Sequence, residues 1–185
     1  MLITPLELVD EPLQLDETIA PGSVEYATDV RQVSPVPVKG QADLIIEHRG
    51  PRQDVNDIRV RADYTGDFEL LCARCVEPVP QHLSGNFDLI FRPTGVDDAP
   101  GEHAITPDET EIGYYQESGL LLEDVVREQV LLSLPTRTLC KPDCKGLCPR
   151  CGQNLNNATC SCGETASDPR WNTLRDLAGK LELKH

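Results

Sequence analysis

Aromatic residues make up only 4% of this 185-residue chain, with one tryptophan, three phenylalanines and a single methionine. A core must therefore rest mainly on Val, Leu and Ile. No apolar run approaches the roughly 20 residues of a membrane span, and no apolar segment follows Met1. The sequence thus predicts a cytoplasmic protein, neither exported nor inserted in a membrane. The four histidines (His48, His82, His103, His185) are scattered, and no Ser–His–Asp grouping can be assembled around them. No glycine-rich loop precedes a helix to cradle phosphate. The expectation is a protein that is not an enzyme and takes no small-molecule substrate. Cations are scarce too. The formal net charge is −14, and a phosphate backbone repels so acidic a surface.

That charge is unevenly spread. Residues 137–185 hold eight Lys/Arg and five acids, a formal +3, whereas residues 1–136 hold nine basic and twenty-six acidic residues, a formal −17. The length suits one ordinary domain plus an appendage. The expected division is an acidic β body, 1–136, followed by a cysteine-rich tail, 137–185. Either the two parts meet different partners, or the acidic body simply keeps the chain soluble while the tail packs on it.

Cysteine is the one abundant rarity. Six of the eight cysteines fall within residues 140–162, spaced C-x3-C-x3-C-x2-C-x8-C-x-C. A segment so polar and so rich in Gly, Pro and Asn cannot bury enough surface to fold unaided, so a metal or disulfides must cross-link it. A reduced cytosolic setting favours metal. Cys148-Pro149-Arg150-Cys151-Gly152 reads as a zinc knuckle, with glycine supplying the backbone conformation that other residues resist. Cys160 and Cys162 supply a second thiolate pair, which completes a tetrahedral structural zinc site. The spacings fit none of the common iron–sulfur runs. Cys140 and Cys144 are substitutes or neighbouring thiols in this reading. Cys72 and Cys75 form a separate C-x-x-C. As a redox pair it lacks the expected βαβ context. It reads either as a turn of reduced thiols or as half of a second site shared with Cys140 and Cys144, since eight thiolates suffice for two zincs.

The rest predicts an α+β fold: an antiparallel sheet or small open β-barrel with one packed helix, then a metal-binding tail ending in a short helix. Leu13, Leu15 and Ile19 mark an edge strand, Pro21-Gly22 a turn, and residues 41–48 a second strand. Residues 57–72 read as a hairpin turning at 64–67. A second hairpin follows, turning at 84–86. Residues 92–111 read as an acidic surface loop, and 112–115 as a short returning strand. The helix is placed at 119–134, stopped by Pro135, with a broad apolar face for the sheet. Asp168 and Pro169 open a terminal amphipathic helix, with Trp171, Leu174, Leu177, Ala178 and Leu181 on one face and Trp171 as its anchor.

Taken together, LLCARCVEP (70–78), LLLEDVVREQVLLSLP (120–135), LCKPDCKGLCPRCGQNLN (139–156) and DPRW (168–171) resemble the YceD family in its zinc-ribbon-bearing form. These are bacterial and plastid proteins named for accumulation of the large ribosomal RNA. The resemblance covers roughly residues 30–180. It implies a non-catalytic ribosome biogenesis factor needed for accumulation or processing of 23S rRNA, acting on its precursor or on a large-subunit assembly intermediate. Membership does not require the whole cysteine-rich tail, so the metal there reads as a stabilising feature or a variant contact surface. If RNA is touched directly, the candidate phosphate contacts are Arg74, Arg137, Lys141, Lys145 and Arg150. The acidic body suits a second reading, an adaptor or chaperone for a basic ribosomal protein. A third, a thiol- or zinc-responsive regulator, requires reversible oxidation of Cys72 and Cys75.

Overall fold

The computed structural model describes residues 1–51, 54–97, 112–116, 118–162, 169–171 and 177. In chain order its strands are β1 (Leu2–Ile3), β2 (Leu13–Ile19), β3 (Val30–Gln32), β4 (Val36–His48), β5 (Asp54–Leu71), β6 (Pro78–Pro93), β7 (Ile112–Tyr115) and β8 (Leu120–Leu121), followed by helix α1 (Leu122–Ser133). The main sheet has the order β2-β4-β5-β6-β7, and β3 pairs with β5 beyond the end of β4. It is an open sheet. Its pairings are antiparallel except that of β6 with β7, which is parallel. β1 and β8 form a separate two-residue ribbon.

The spine is the β5–β6 hairpin, and here the structure corrects two expected turns. Residues 64–67 and 84–86 do not turn: Tyr64 pairs with Gly85 and Gly66 with Leu83, inside one continuous ladder. The glycines that suggested turns serve packing instead. A Cβ on Gly66 would sit 2.6 Å from a Val36 methyl, and one on Gly85 would sit 2.8 Å from the Tyr64 ring. Each glycine leaves room for a large core side chain on a neighbouring strand. Two expected hairpins are therefore one, and its turn lies at residues 72–77.

Alternation along β5 sends Ile58, Val60, Ala62, Tyr64, Phe68 and Leu70 into the core while Arg59, Arg61 and Asp63 face solvent. Helix α1 covers that inner face with Leu122, Val125, Val126 and Val130, all buried at helical spacing. The Tyr64 hydroxyl donates to the Gln129 carbonyl at 3.1 Å, which ties helix to sheet. The helix begins three residues later than the sequence suggested, because Gly119 (φ 119°) turns the chain and Leu120 and Leu121 pair with β1 first. The expected loop at 92–111 lies partly, and the terminal helix largely, outside the described residues. Trp171, its expected anchor, is exposed on a single 3-10 turn, Pro169–Trp171. Among the described residues, no helix is long and apolar enough to cross a membrane.

One ion pair is fully inside. Arg92 grips Asp57 with two nitrogens, at 3.1 and 2.9 Å, and both side chains are about 95% buried (6% and 5% exposed). Glu47 and Asp97 close around the same guanidinium. Removing one partner strands a buried charge, which typically costs about 3–5 kcal/mol. Arg92→Met should therefore lower the unfolding free energy by about that much in a denaturant titration. Arg59→Met removes the exposed Arg59–Asp88 pair, and should cost less than about 1 kcal/mol. Equal losses for the two variants would contradict this account.

Candidate metal centres

The hairpin turn carries the first cluster. Cys72 N–H donates to the Glu77 carbonyl at 2.8 Å, and Val76 N–H donates to the Cys72 carbonyl at 2.9 Å. Farther along, Cys148 N–H donates to the Gln153 carbonyl at 2.8 Å, and Gly152 N–H to the Cys148 carbonyl at 2.9 Å. The two C-x-x-C segments are the same knuckle, bond for bond. Each needs a positive φ just after its second cysteine. Gly152 supplies it at 72°, and Val76 is held at 61°, the one non-glycine residue with positive φ among the described residues. A β-branched residue resists that conformation, so the surrounding contacts must impose it.

Four sulfurs gather at each knuckle. Cys72, Cys75, Cys140 and Cys144 form an inner cluster, and Cys148, Cys151, Cys160 and Cys162 an outer one. Within each, every sulfur lies within 4.8 Å of the others. In the inner cluster Cys75 and Cys140 are 3.5 Å apart, and Cys72 and Cys144 are 3.8 Å apart. Tetrahedral thiolate ligands with bonds near 2.3 Å stand about 3.8 Å from one another, so this spacing fits a metal. All eight cysteines are free thiols. Either cluster could hold a metal ion. The clusters differ in setting: Cys72, Cys75 and Cys144 are buried, whereas the outer set has only Cys148 buried.

Protonation follows from the same geometry. Burial opposes ionisation of Cys72, yet N–H groups of Arg74, Cys140 and Cys75 aimed at its sulfur bring its pKa down to about 6. N–H groups of Cys151 and Arg150 bring Cys148 to about 6 as well. Opposite them, burial and neighbouring sulfurs push Cys140 up to about 12. The Cys151 sulfur, with burial, pushes Cys162 up to about 12. Four crowded thiols cannot all ionise by themselves. A cation at the centre is what would make four thiolates compatible, with release of protons.

The tail is bolted to the hairpin around the inner cluster. Ala73 N–H donates to the Thr138 carbonyl (2.9 Å), Arg74 donates to the Cys144 carbonyl (2.7 Å), and Leu147 N–H donates to the Arg74 carbonyl (3.1 Å). A Cβ on Gly146 would come within 3.0 Å of that last oxygen, and φ there is 76°, so glycine is needed for the close approach. Two residues that sequence reasoning missed join the clusters. Asn156 donates to the Cys144 sulfur at 3.3 Å, and Asn154 donates to Glu77 at 3.1 Å. Both belong to the x8 spacer of the outer cluster, and only the run of asparagines there hinted at them.

Among the five basic candidates, Arg74 is spent on Cys144 and Arg150 donates to the Cys162 carbonyl at 2.9 Å. Arg137, Lys141 and Lys145 are exposed, and their side chains meet no partner among the described residues.

Among the described residues, a hairpin-centred open sheet with one packed α-helix and two four-cysteine clusters describes the class. The family model "Large ribosomal RNA subunit accumulation protein YceD" matches residues 60–178, more than half of the chain, and the chain belongs to that family. It is 35% identical over 108 residues to an uncharacterized protein of Mycobacterium tuberculosis; the match covers 58% of this chain and spans about half (49%) of that relative's length. It is 26% identical over 114 residues to the maize protein named large ribosomal RNA subunit accumulation protein YCED homolog 1, chloroplastic, covering 49% of this chain and 39% of the relative. An uncharacterized Bacillus subtilis protein, YlbN, is 25% identical over 177 residues, 92% of this chain and 91% of its own. No solved structure matches the chain.

The strained knuckle gives a direct test. A left-handed conformation costs a non-glycine residue about 1–2 kcal/mol, partly offset by the greater backbone entropy glycine loses on folding. Val76→Gly should raise the unfolding free energy by about 1 kcal/mol, and Gly152→Val should lower it by a similar amount or more, both read by thermal unfolding. A destabilised Val76→Gly would mean that the isopropyl group earns more in packing than its backbone loses.

Proposed function

We propose that this protein is a non-catalytic, cytoplasmic factor for accumulation of the large ribosomal RNA, acting on precursor 23S rRNA or a large-subunit assembly intermediate. Family membership carries the ribosomal part of this reading. The paired knuckles carry the rest. Zinc held by Cys72, Cys75, Cys140 and Cys144, and by Cys148, Cys151, Cys160 and Cys162, would clamp the tail onto the hairpin of the acidic body. Both donor sets are all-thiolate, a closed arrangement suited to structure. The metal's contribution is cross-linking, and it makes the tail a rigid platform.

Charge pairing favours the tail as the RNA-facing part. Across the sheet, Lys39 meets Asp16, Arg31 meets Glu69, Arg59 meets Asp88 and Arg61 meets Asp43. Such cations are already neutralised. Among the described residues, Arg137, Lys141 and Lys145 are the basic side chains left to meet phosphate, as contacts that position without reading sequence. The −17 body supports a second reading, in which the partner is a basic ribosomal protein.

In-cell ultraviolet crosslinking of the tagged protein, with sequencing of attached RNA and gradient fractionation, decides between them. The expected outcome is discrete crosslinks on precursor 23S rRNA in fractions at or below the large subunit, greatly reduced by combining Arg137→Glu, Lys141→Glu and Lys145→Glu. Absence of crosslinks, with the protein high in the gradient on a basic partner, would sink direct RNA contact. Elemental analysis of the purified chain should find two zinc ions per molecule. One ion, or none, would remove one or both clamps.

A further inference from the structure

The two clusters are not independent. The residues between Cys151 and Cys160, which the outer cluster must fold around, are hydrogen-bonded both among themselves and to parts of the inner one. Asn156 makes two bonds to the inner side and one within the spacer. Its side-chain nitrogen donates to the Cys144 sulfur at 3.3 Å, its side-chain oxygen accepts from Lys145 N–H at 2.9 Å, and Asn154 Oδ1 orients it at 2.9 Å. Asn154 reaches Glu77 of the first knuckle, its backbone pairs with Leu147, and Leu155 N–H donates to the Gly146 carbonyl at 2.9 Å. The two sites are not equally supported. The inner ligands Cys72 and Cys75 are buried at the end of a long β ladder, which fixes one half of that site independently of the residues between Cys151 and Cys160. The outer ligands all lie within a polar stretch of 15 positions, 148–162, and three of them are at least partly exposed.

We propose that the two sites fill in a fixed order, the inner first, and that Asn156 is the positioning residue through which the inner site prepares the outer. This rests on the metal reading above and adds its sequence of assembly. A thiolate on a metal is a stronger hydrogen-bond acceptor than a neutral thiol. Loading the inner site therefore tightens the Asn156 bond to Cys144. That bond in turn fixes the spacer that sets the distance between the outer site's two cysteine pairs. The functional consequence is that the tail's outer lobe forms only on a hairpin already clamped, so a chain starved of metal loses that lobe before it loses the body.

Cobalt(II) can test this with the full, reduced, metal-free chain, since sulfur-to-cobalt absorption reports each tetrathiolate site. Wild type should bind two equivalents. The spectrum of the first should match that of a Cys151→Ser/Cys162→Ser variant, which keeps only the inner site. Asn156→Ala should leave the first equivalent within about threefold and weaken the second about 10–100-fold, the range seen when groups supporting metal ligands are removed. Because a weakened outer site could also reflect a disordered loop, a second measurement uses the Cys151→Ser/Cys162→Ser variant alone. One equivalent of metal there should slow hydrogen exchange at the amides of Leu155, Asn157 and Ala158. Two equivalents that bind independently, with Asn156→Ala changing neither, would overturn the ordering while leaving the metal sites standing. Unchanged exchange on loading the inner site would do the same. Failure of the wild type to bind cobalt at all would overturn the metal reading itself.

Discussion

The contact on which the rest of this structure depends is the meeting of Cys72 and Cys75 with Cys140 and Cys144. These pairs lie 65 to 72 positions apart in sequence, and between them run β6, β7, β8 and α1. Among the described residues, Leu139 and Val79 pack against the cluster, and no larger hydrophobic group accompanies them. Without a bond-like link at the sulfurs, the tail would hold to the hairpin through a few backbone hydrogen bonds, each worth about 1 kcal/mol net. A structural tetrathiolate metal is worth several times that sum in comparable small domains. The hairpin apex, not the core, is therefore where the fold of the tail is decided.

That link also alters the electrostatics. A dication with four thiolates carries a net −2, so two filled sites make the chain four charges more negative than its formal −14. With metal bound, the formal +3 of residues 137–185 would overstate their attraction for phosphate, because a filled outer site would remove two of those charges. Nearby donors read differently in this light. Arg74 and Arg150 lie over the clusters and bond to ligand-residue carbonyls, where their charge offsets the thiolates as well as holding the loops. Among the described residues, the cations a proposed anionic partner would meet are Arg137, Lys141 and Lys145, a small set suited to positioning rather than strong non-specific binding.

Much of this was legible in the sequence, and the exceptions have physical causes. Strand alternation located β2, the 41–48 part of β4 and extended segments within β5 and β6, and the helix was placed within three residues at its start. The supposed turns at 64–67 and 84–86 failed because Gly and polar neighbours signal a turn only when nothing large needs the space. Here Val36 and Tyr64 needed it. The parallel pairing of β7 could not be read, since it is set by the long-range register of Ile112–Tyr115 against Ile90–Pro93 and not by local alternation. Cys148, Cys151, Cys160 and Cys162, expected to share one site, do come together, and Cys140 and Cys144 gather with Cys72 and Cys75. Their division into two clusters remained open in sequence because Cys140 and Cys144 sit closer in the chain to Cys148 than to their actual neighbours Cys72 and Cys75. Asn154 and Asn156 gave no signal beyond composition, as an amide that hydrogen-bonds a sulfur looks like any loop residue.

Val76 shows how these levels interlock. In isolation, C-A-R-C-V is a poor knuckle, since valine disfavours the backbone angle that the motif requires. The conformation survives because both ends of the turn are fixed from outside: β5 and β6 close the ladder up to Leu71 and Pro78, while Thr138, Gly146 and Leu147 of the tail cover the Ala73-Arg74 face. The second knuckle has no such frame and uses glycine. A strained residue is thus tolerated where the scaffold is stiff, and a permissive one appears where the loop must find its own shape. The same difference in stiffness sets the order in which the two sites assemble.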